Sequence, residues 1–174
     1  MNPFDMNGAL DGMVILIDTR EQNTPRLRER IKQMSSTTER KALSFGDYSA
    51  KFPLPNGEWL DLSNAVVVER KMDFDELCHC YCQDRARFER EFERAQTAGA
   101  KTYLLIENAT WEKAYNGTYR SRMRPSALVA SILAWLARYD CQILFCRAET
   151  SGKLIHDVLY REGKQRLEAM EDSG

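Results

Sequence analysis

Three consecutive valines run straight into three consecutive charges in Val66-Val67-Val68-Glu69-Arg70-Lys71. β-Branched residues pack well on a pleated, buried surface, so the run predicts a strand near the middle of a sheet. Side chains alternate faces along a strand, which puts Glu69 and Lys71 on one side and Arg70 on the other. Residues two apart lie roughly 6.5 Å apart along a strand, leaving room for one metal ion or one water between a carboxylate and an ammonium. The alternative is a strand that simply ends in solvated charges, where such residues normally sit.

Other segments alternate between strand and helix. Met13–Ile17 is a continuous apolar run that delivers Asp18, Thr19, Arg20 and Glu21 at its carboxyl end, where open α/β sheets bind ligands. Thr24 and Pro25 form a cap and first-turn pair for a helix with Leu27, Ile31 and Met34 on one face, and the polar stretch 35–40 closes that unit. Gly46 predicts a sharp bend that turns Asp47 inward at the start of a strand. Pro55-Asn56-Gly57 predicts a hairpin turn with a return strand over 58–62. Asp47 and Glu69 are then expected on adjacent strands, aimed at one place. Asp73 caps a helix whose stripe of Leu77, Tyr81, Phe88, Phe92 and Ala95 runs to Gly99. Strands over 102–107 and 142–146, helices over 111–115 and 126–139, and a last helix capped by Thr150 or Ser151 complete the pattern. The expected fold is α/β: a central mixed sheet flanked by helices in one domain over 13–163, between a flexible segment at 1–12 and a charged tail at 164–174.

Composition narrows the function classes. A length of 174 residues with 43% hydrophobic and 29% charged residues fits one soluble domain with a real core. The net charge of −1 means any nucleic-acid contact must come from local patches. No run approaches a membrane span. Five cysteines, an odd number, with no signal-peptide pattern in 1–12, point to reduced thiols and a cytoplasmic setting. Cys78, Cys80 and Cys82 surround His79, but the spacing is too crowded for one helix to aim them all at a zinc ion. The arginines at 85, 87, 90 and 94 alternate with Glu89, Glu91 and Glu93, as in a solvated, salt-bridged helix face. Arg120, Arg122 and Arg124 lie in a loop stretch without acidic neighbours in sequence, the best candidate for gripping phosphates.

Carboxylates at strand ends (Asp18, Asp47, Glu69) with Lys71 form a set of hard oxygen donors beside a cation. Such donors suit Mg²⁺ or Mn²⁺, and a lysine there can orient water or neutralise developing charge. An Asp followed by Glu-x-Lys fits the PD-(D/E)xK nuclease arrangement. The sequence also resembles the XPF-type structure-specific DNA endonucleases, including archaeal Hef. The resemblance rests on Ile17-Asp18-Thr19-Arg20-Glu21, on Gly46-Asp47-Tyr48, on Val68-Glu69-Arg70-Lys71 followed by Asp75-Glu76-Leu77, and on the Leu104-Leu105-Ile106-Glu107 strand, spanning about 13 to 160.

It implies a restriction-endonuclease-like sheet and a Mg²⁺-dependent endonuclease acting on branched DNA in repair or recombination. By resemblance Asp47 and Glu69 bind the metal, with Asp18 as a further ligand or water-positioning group. Lys71 is the catalytic lysine; Arg70, Arg20 and Glu21 support the site. Arg85 or Arg87 loosely matches the family's basic position. No helix–hairpin–helix module or helicase part accompanies the domain in this sequence, which implies a stand-alone nuclease of the kind found in bacteria or phage. The alternatives are a catalytically inactive DNA-binding partner, against which the intact Asp47, Glu69 and Lys71 speak, and a small-molecule phosphohydrolase, which would call for a glycine-rich loop. The 126–139 helix carries apolar residues around more than one stripe, and the resemblance favours burying the surplus in a homodimer.

Overall fold

The computed structural model describes residues 3–172. One seven-stranded mixed sheet forms its centre, flanked by helices on both faces. The strands are β1 (Val14–Asp18), β2 (Thr37–Lys41), β3 (Tyr48–Pro53), β4 (Trp59–Asp61), β5 (Val66–Lys71), β6 (Lys101–Glu107) and β7 (Gln142–Cys146). They run in the order β2-β1-β3-β5-β6-β7, with β4 paired to β3 alone. The β1–β2, β5–β6 and β6–β7 pairs are parallel; β3 is antiparallel to both β1 and β5.

The valine run sets the two faces. Val66 and Val68 enter a core with Leu27 of α2 (Pro25–Lys32) and Ile155 and Leu159 of α7 (Ala148–Asp172). Val67 faces the other way, against Phe45 and Ala95. That second face is covered by α3 (Phe74–Cys82), α4 (Arg85–Thr97), α5 (Trp111–Asn116) and α6 (Pro125–Tyr139), around a cluster of Phe88, Phe92 and Trp135. By the same alternation Glu69 and Lys71 point toward α3 and α4, and Arg70 toward α2 and α7.

Local signals place several boundaries. Thr24 Oγ1 accepts from the Leu27 amide with Pro25 opening α2, and Asp73 caps α3 by accepting from the Glu76 amide. Gly46 holds a φ of +72°, and a Cβ there would sit 2.7 Å from that of Val67, so no other residue fits without displacing the central strand.

Four expectations need correction. The segment at 1–12 is not an unstructured lead: Pro3–Asp11 forms α1, with Ala9 and Leu10 buried. Counted along the sequence, its apolar residues Phe4, Met6, Ala9 and Leu10 do not fall on one helical face, so no period is readable. The stretch 35–40 contributes most of β2, a polar edge strand that needs no alternation because it covers no core. The long helix ending at Gly99 is two, broken at Gln83 and Asp84, which lets α4 turn and seat Phe88 against Trp135 at 4.8 Å between ring centroids. The last helix starts at Ala148, before Thr150 and Ser151, and continues through the charged tail to Asp172, held by the fully buried Leu167. Residues 1, 2, 173 and 174 lie outside the described residues. No helix among the described residues is long and apolar enough to cross a membrane.

Candidate active site

The bend at Gly46 delivers Asp47 between two strand ends. Its amide donates to the Val68 carbonyl at 2.9 Å, and its carbonyl accepts from the Asp18 amide at 2.9 Å. Tyr48 is in register with Val68, so Asp47 lies beside Glu69. The Arg70 amide donates to Asp47 Oδ2 at 2.8 Å and fixes that carboxylate. Asp47, Glu69, Lys71, Glu76 and Arg87 line one cleft of about 250 Å³, together with Arg20 and Glu21.

The electrostatics of the cleft follow from burial. Glu69 and Lys71 are both nearly buried, and Lys71 Nζ donates to Glu69 Oε1 at 2.5 Å while lying 5.0 Å over the Phe88 ring. Burial would lower the lysine pKa, but the carboxylates of Glu69 and Asp47 more than offset that and hold it well above its ordinary value. Lys71 is therefore an ammonium at neutral pH. Burial, and then the charge of Glu69, push the Asp47 carboxyl well above the usual carboxylate range. Burial also pushes Glu69 upward, against the pull of Lys71. Two crowded carboxylates that favour a proton form a site that a cation would relieve.

Asp18 departs from its expected role. It is 1% exposed and does not line the cleft. Its oxygens accept from the Arg20 amide at 2.7 Å, from Arg20 Nε at 3.1 Å and from Nη2 at 2.7 Å. Arg20 Nη1 continues to Glu91 Oε1 of α4 at 2.6 Å. Asp18 thus holds Arg20 at the cleft mouth. Among the described residues no group of three or more His, Cys, Asp or Glu is placed to hold a metal ion, so neither the three-carboxylate set nor the cysteine cluster is assembled as a cage.

Arg70 and Glu21, which also line the cleft, join a charged network that reaches through to the opposite sheet face. Arg70 Nη1 lies 3.4 Å from Glu107 Oε2, and Nη2 lies 4.0 Å from Glu21 Oε2. Arg30 of α2 sits beneath both acids, and Tyr48 OH donates to Glu21 Oε2 at 3.3 Å. The sequence pattern does not single out Arg30, because Leu27, Ile31 and Met34 already complete the apolar stripe; its one trace is a charge that falls on that same face. Glu107 was legible as a carboxylate ending a buried strand, yet was not placed in the site.

The predicted basic residues separate. Arg87 reaches the cleft and has no ion-pair partner among the described residues. Arg85 instead pairs with Glu89 at 3.1 Å, away from the cleft. Arg120 has an acidic neighbour after all: its amide and Nε donate to Asp75 at 2.8 and 3.0 Å. The chain folds Asp75 against the loop from 45 residues away, which local sequence cannot show. Arg122 and Arg124 are exposed and unpaired among the described residues.

A mixed sheet flanked by helices on both faces, with an acid, an acid and a lysine gathered at adjacent strand ends, defines the class: a single α/β domain. The chain belongs to the ERCC4 domain family, whose model matches residues 17–158. Among solved structures it is similar to XPF from Aeropyrum pernix, at 17% identity and a TM-score of 0.61, over 86% of this chain and 61% of that one. It is likewise similar to XPF from Aeropyrum pernix in complex with DNA, at 18% identity and a TM-score of 0.60, over 88% of this chain and 66% of that one. The chain therefore spans about three fifths to two thirds of those proteins, and the likeness is one of fold. No curated protein matches the sequence.

Proposed function

We propose that this ERCC4 domain is an endonuclease that hydrolyses DNA phosphodiester bonds with Mg²⁺ or Mn²⁺, at branched or otherwise structured DNA in repair or recombination. The observation that carries the reading is the convergence of Asp47, Glu69 and Lys71 in one cleft, with Asp47 pinned by the Arg70 amide at 2.8 Å. Asp47 and Glu69 fit a Mg²⁺ ion: two oxygen donors suffice, because this ion keeps several waters and accepts substrate phosphate oxygens. When bound, the ion polarises the phosphoryl oxygen and lowers the pKa of a coordinated water.

The protein's own residues supply the rest. Lys71, charged at neutral pH, acts as an electrostatic partner for the phosphate in the transition state rather than as a resting proton acceptor. Lys71 Nζ is paired with Glu69 Oε1 at 2.5 Å, so a cation held by Glu69 would compete with that pair and leave the ammonium available to the substrate phosphate. Arg87 and Arg20 stand at the same opening and grip flanking phosphates. Arg122 lies exposed outside the cleft as a further phosphate contact, while Arg124 borders an apolar groove along α6. Asp18 fixes the guanidinium of Arg20.

The second reading is a DNA-binding subunit without activity, and the closed Glu69–Lys71 pair at 2.5 Å is the observation that favours it. A panel of flaps, forks, four-way junctions and plain duplexes, assayed for binding and for cleavage with and without Mg²⁺, separates the two. Cleavage concentrated on the branched members supports the nuclease; binding without cleavage under any metal supports the inactive partner.

We also propose a homodimer. Leu133 on the outer side of α6 is 48% exposed and Tyr115 of α5 is 62% exposed. They flank an apolar groove of about 700 Å³ shared with Pro125, Val129 and Ala130, which a second copy would cover.

A further inference from the structure

We infer that Arg30 is a positioning residue for the metal ligands, acting through Glu107, Glu21 and Arg70; this rests on the nuclease reading above. Arg30 is 4% exposed, its side chain reaching from α2 to α7 and the sheet. Its backbone leaves no slack, since a Cβ on Gly152 would lie 2.1 Å from the Arg30 carbonyl oxygen. All three guanidinium nitrogens are engaged. Nε lies 3.2 Å from both Glu107 Oε1 and Ser151 Oγ, Nη1 donates to Tyr48 OH at 3.0 Å, and Nη2 lies 3.2 Å from Glu107 Oε1. Nη1 also approaches Glu21 Oε2 at 3.9 Å.

Stability alone does not account for this arrangement. Desolvating a guanidinium and a carboxylate is costly, and an apolar replacement is often neutral or better. What the ions provide is direction. Glu107 and Glu21 are the same two acids that flank the Arg70 guanidinium, and Arg70 is the residue whose amide holds Asp47 Oδ2. Two arginines and two acids balance in charge, and each acid is shared between them. Without Arg30, both acids turn to Arg70 alone, and the strand end that carries it loses its fixed position. Asp47 then loses its amide donor, and Glu69 and Lys71 move with the same strand. Remote partners that orient ligands in this way typically affect metal affinity or activity by about 10–100-fold.

The test uses the full chain with Arg30→Gln and Arg30→Lys. Mn²⁺ affinity is read by titration calorimetry, kcat and KM on branched DNA by steady-state cleavage, and protection of the Arg70 amide by hydrogen exchange. Arg30→Gln is expected to weaken Mn²⁺ binding about tenfold or more, to lower kcat with KM within about twofold, and to lose Arg70 protection while Ile132, in the core on the other sheet face, keeps its own. Adding Glu107→Gln removes the stranded charge and should restore part of the loss. A cooperatively melting Arg30→Gln with wild-type Mn²⁺ affinity, kcat and Arg70 protection overturns the proposal. Should the glutamine variant not fold, Arg30→Lys is read the same way, and unchanged values there overturn it equally. If the wild-type chain neither binds Mn²⁺ nor cuts DNA, the nuclease reading fails; the Arg70 protection still decides whether Arg30 orders the strand end.

Discussion

The amide of Arg70 donates to Asp47 Oδ2 at 2.8 Å while the Arg70 side chain points through to the other sheet face, where it meets Glu107 at 3.4 Å. One residue therefore ties a carboxylate of the cleft to the buried charges under the sheet. Alternation along β5 makes this possible: Glu69 and Lys71 serve the cleft, and Arg70 between them serves the support beneath it.

Lys71→Ala should lower turnover about 10²–10³-fold with DNA affinity little changed, because one electrostatic contact is lost in the transition state only. Single-turnover cleavage alongside a binding titration measures both. Since the Glu69 and Asp47 carboxylates hold Lys71 above its ordinary pKa, its deprotonation should leave no inflection in the rate profile between pH 6 and roughly 9. Near-wild-type cleavage by Lys71→Ala would make the lysine a bystander.

Asp47→Asn should stabilise the metal-free protein at pH 8 and do little at pH 4. The Asp47 carboxyl is held above its ordinary value by burial and by Glu69, so its neutral form favours the fold. That stability is present below the unfolded-state pKa and is lost as pH rises through the raised folded-state value. Asparagine has no charge to bury. Thermal melts in EDTA at the two pH values check the sign; an equal effect at both would contradict it.

Gly46→Ala should cost at least about 1–2 kcal/mol, since any other residue at a left-handed φ is strained and its Cβ collides with Val67. The bend also aims Asp47, so cleavage should fall further than stability accounts for. Denaturant unfolding and turnover, compared on the same preparation, measure the two effects.

Leu133→Glu should yield a monomer of 20.1 kDa if α6 meets its copy, whereas the wild type scatters light at about twice that mass at micromolar concentration. A wild-type mass near 20.1 kDa would contradict the dimer.

Every strand but β2, with its polarity toward the core, was legible because the evidence is local. A valine run, a cap at Thr24 or Asp73 and a glycine before Asp47 each act within a few residues. The pairing of Asp47 with Glu69 followed from one bend and one hairpin. What stayed hidden was long-range or compensated. Asp18 reads as a free carboxylate until Arg20 folds back over it, and Arg120 reads as unpaired until α3 brings Asp75 to it. Arg30 was masked because Leu27, Ile31 and Met34 already satisfy a helical stripe. The polar β2 buries too little to leave a pattern, and the apolar residues of α1 do not share one face.

The central claim is that Asp47 and Glu69 hold a divalent ion that the reaction requires. Cleavage of a branched DNA in Mg²⁺ and in EDTA, by wild type and Asp47→Asn side by side, tests it most directly. The account predicts cutting by the wild type in Mg²⁺ alone, with the Asp47→Asn protein folded, still binding DNA and inactive. Full cleavage in EDTA, or by Asp47→Asn in Mg²⁺, would contradict it.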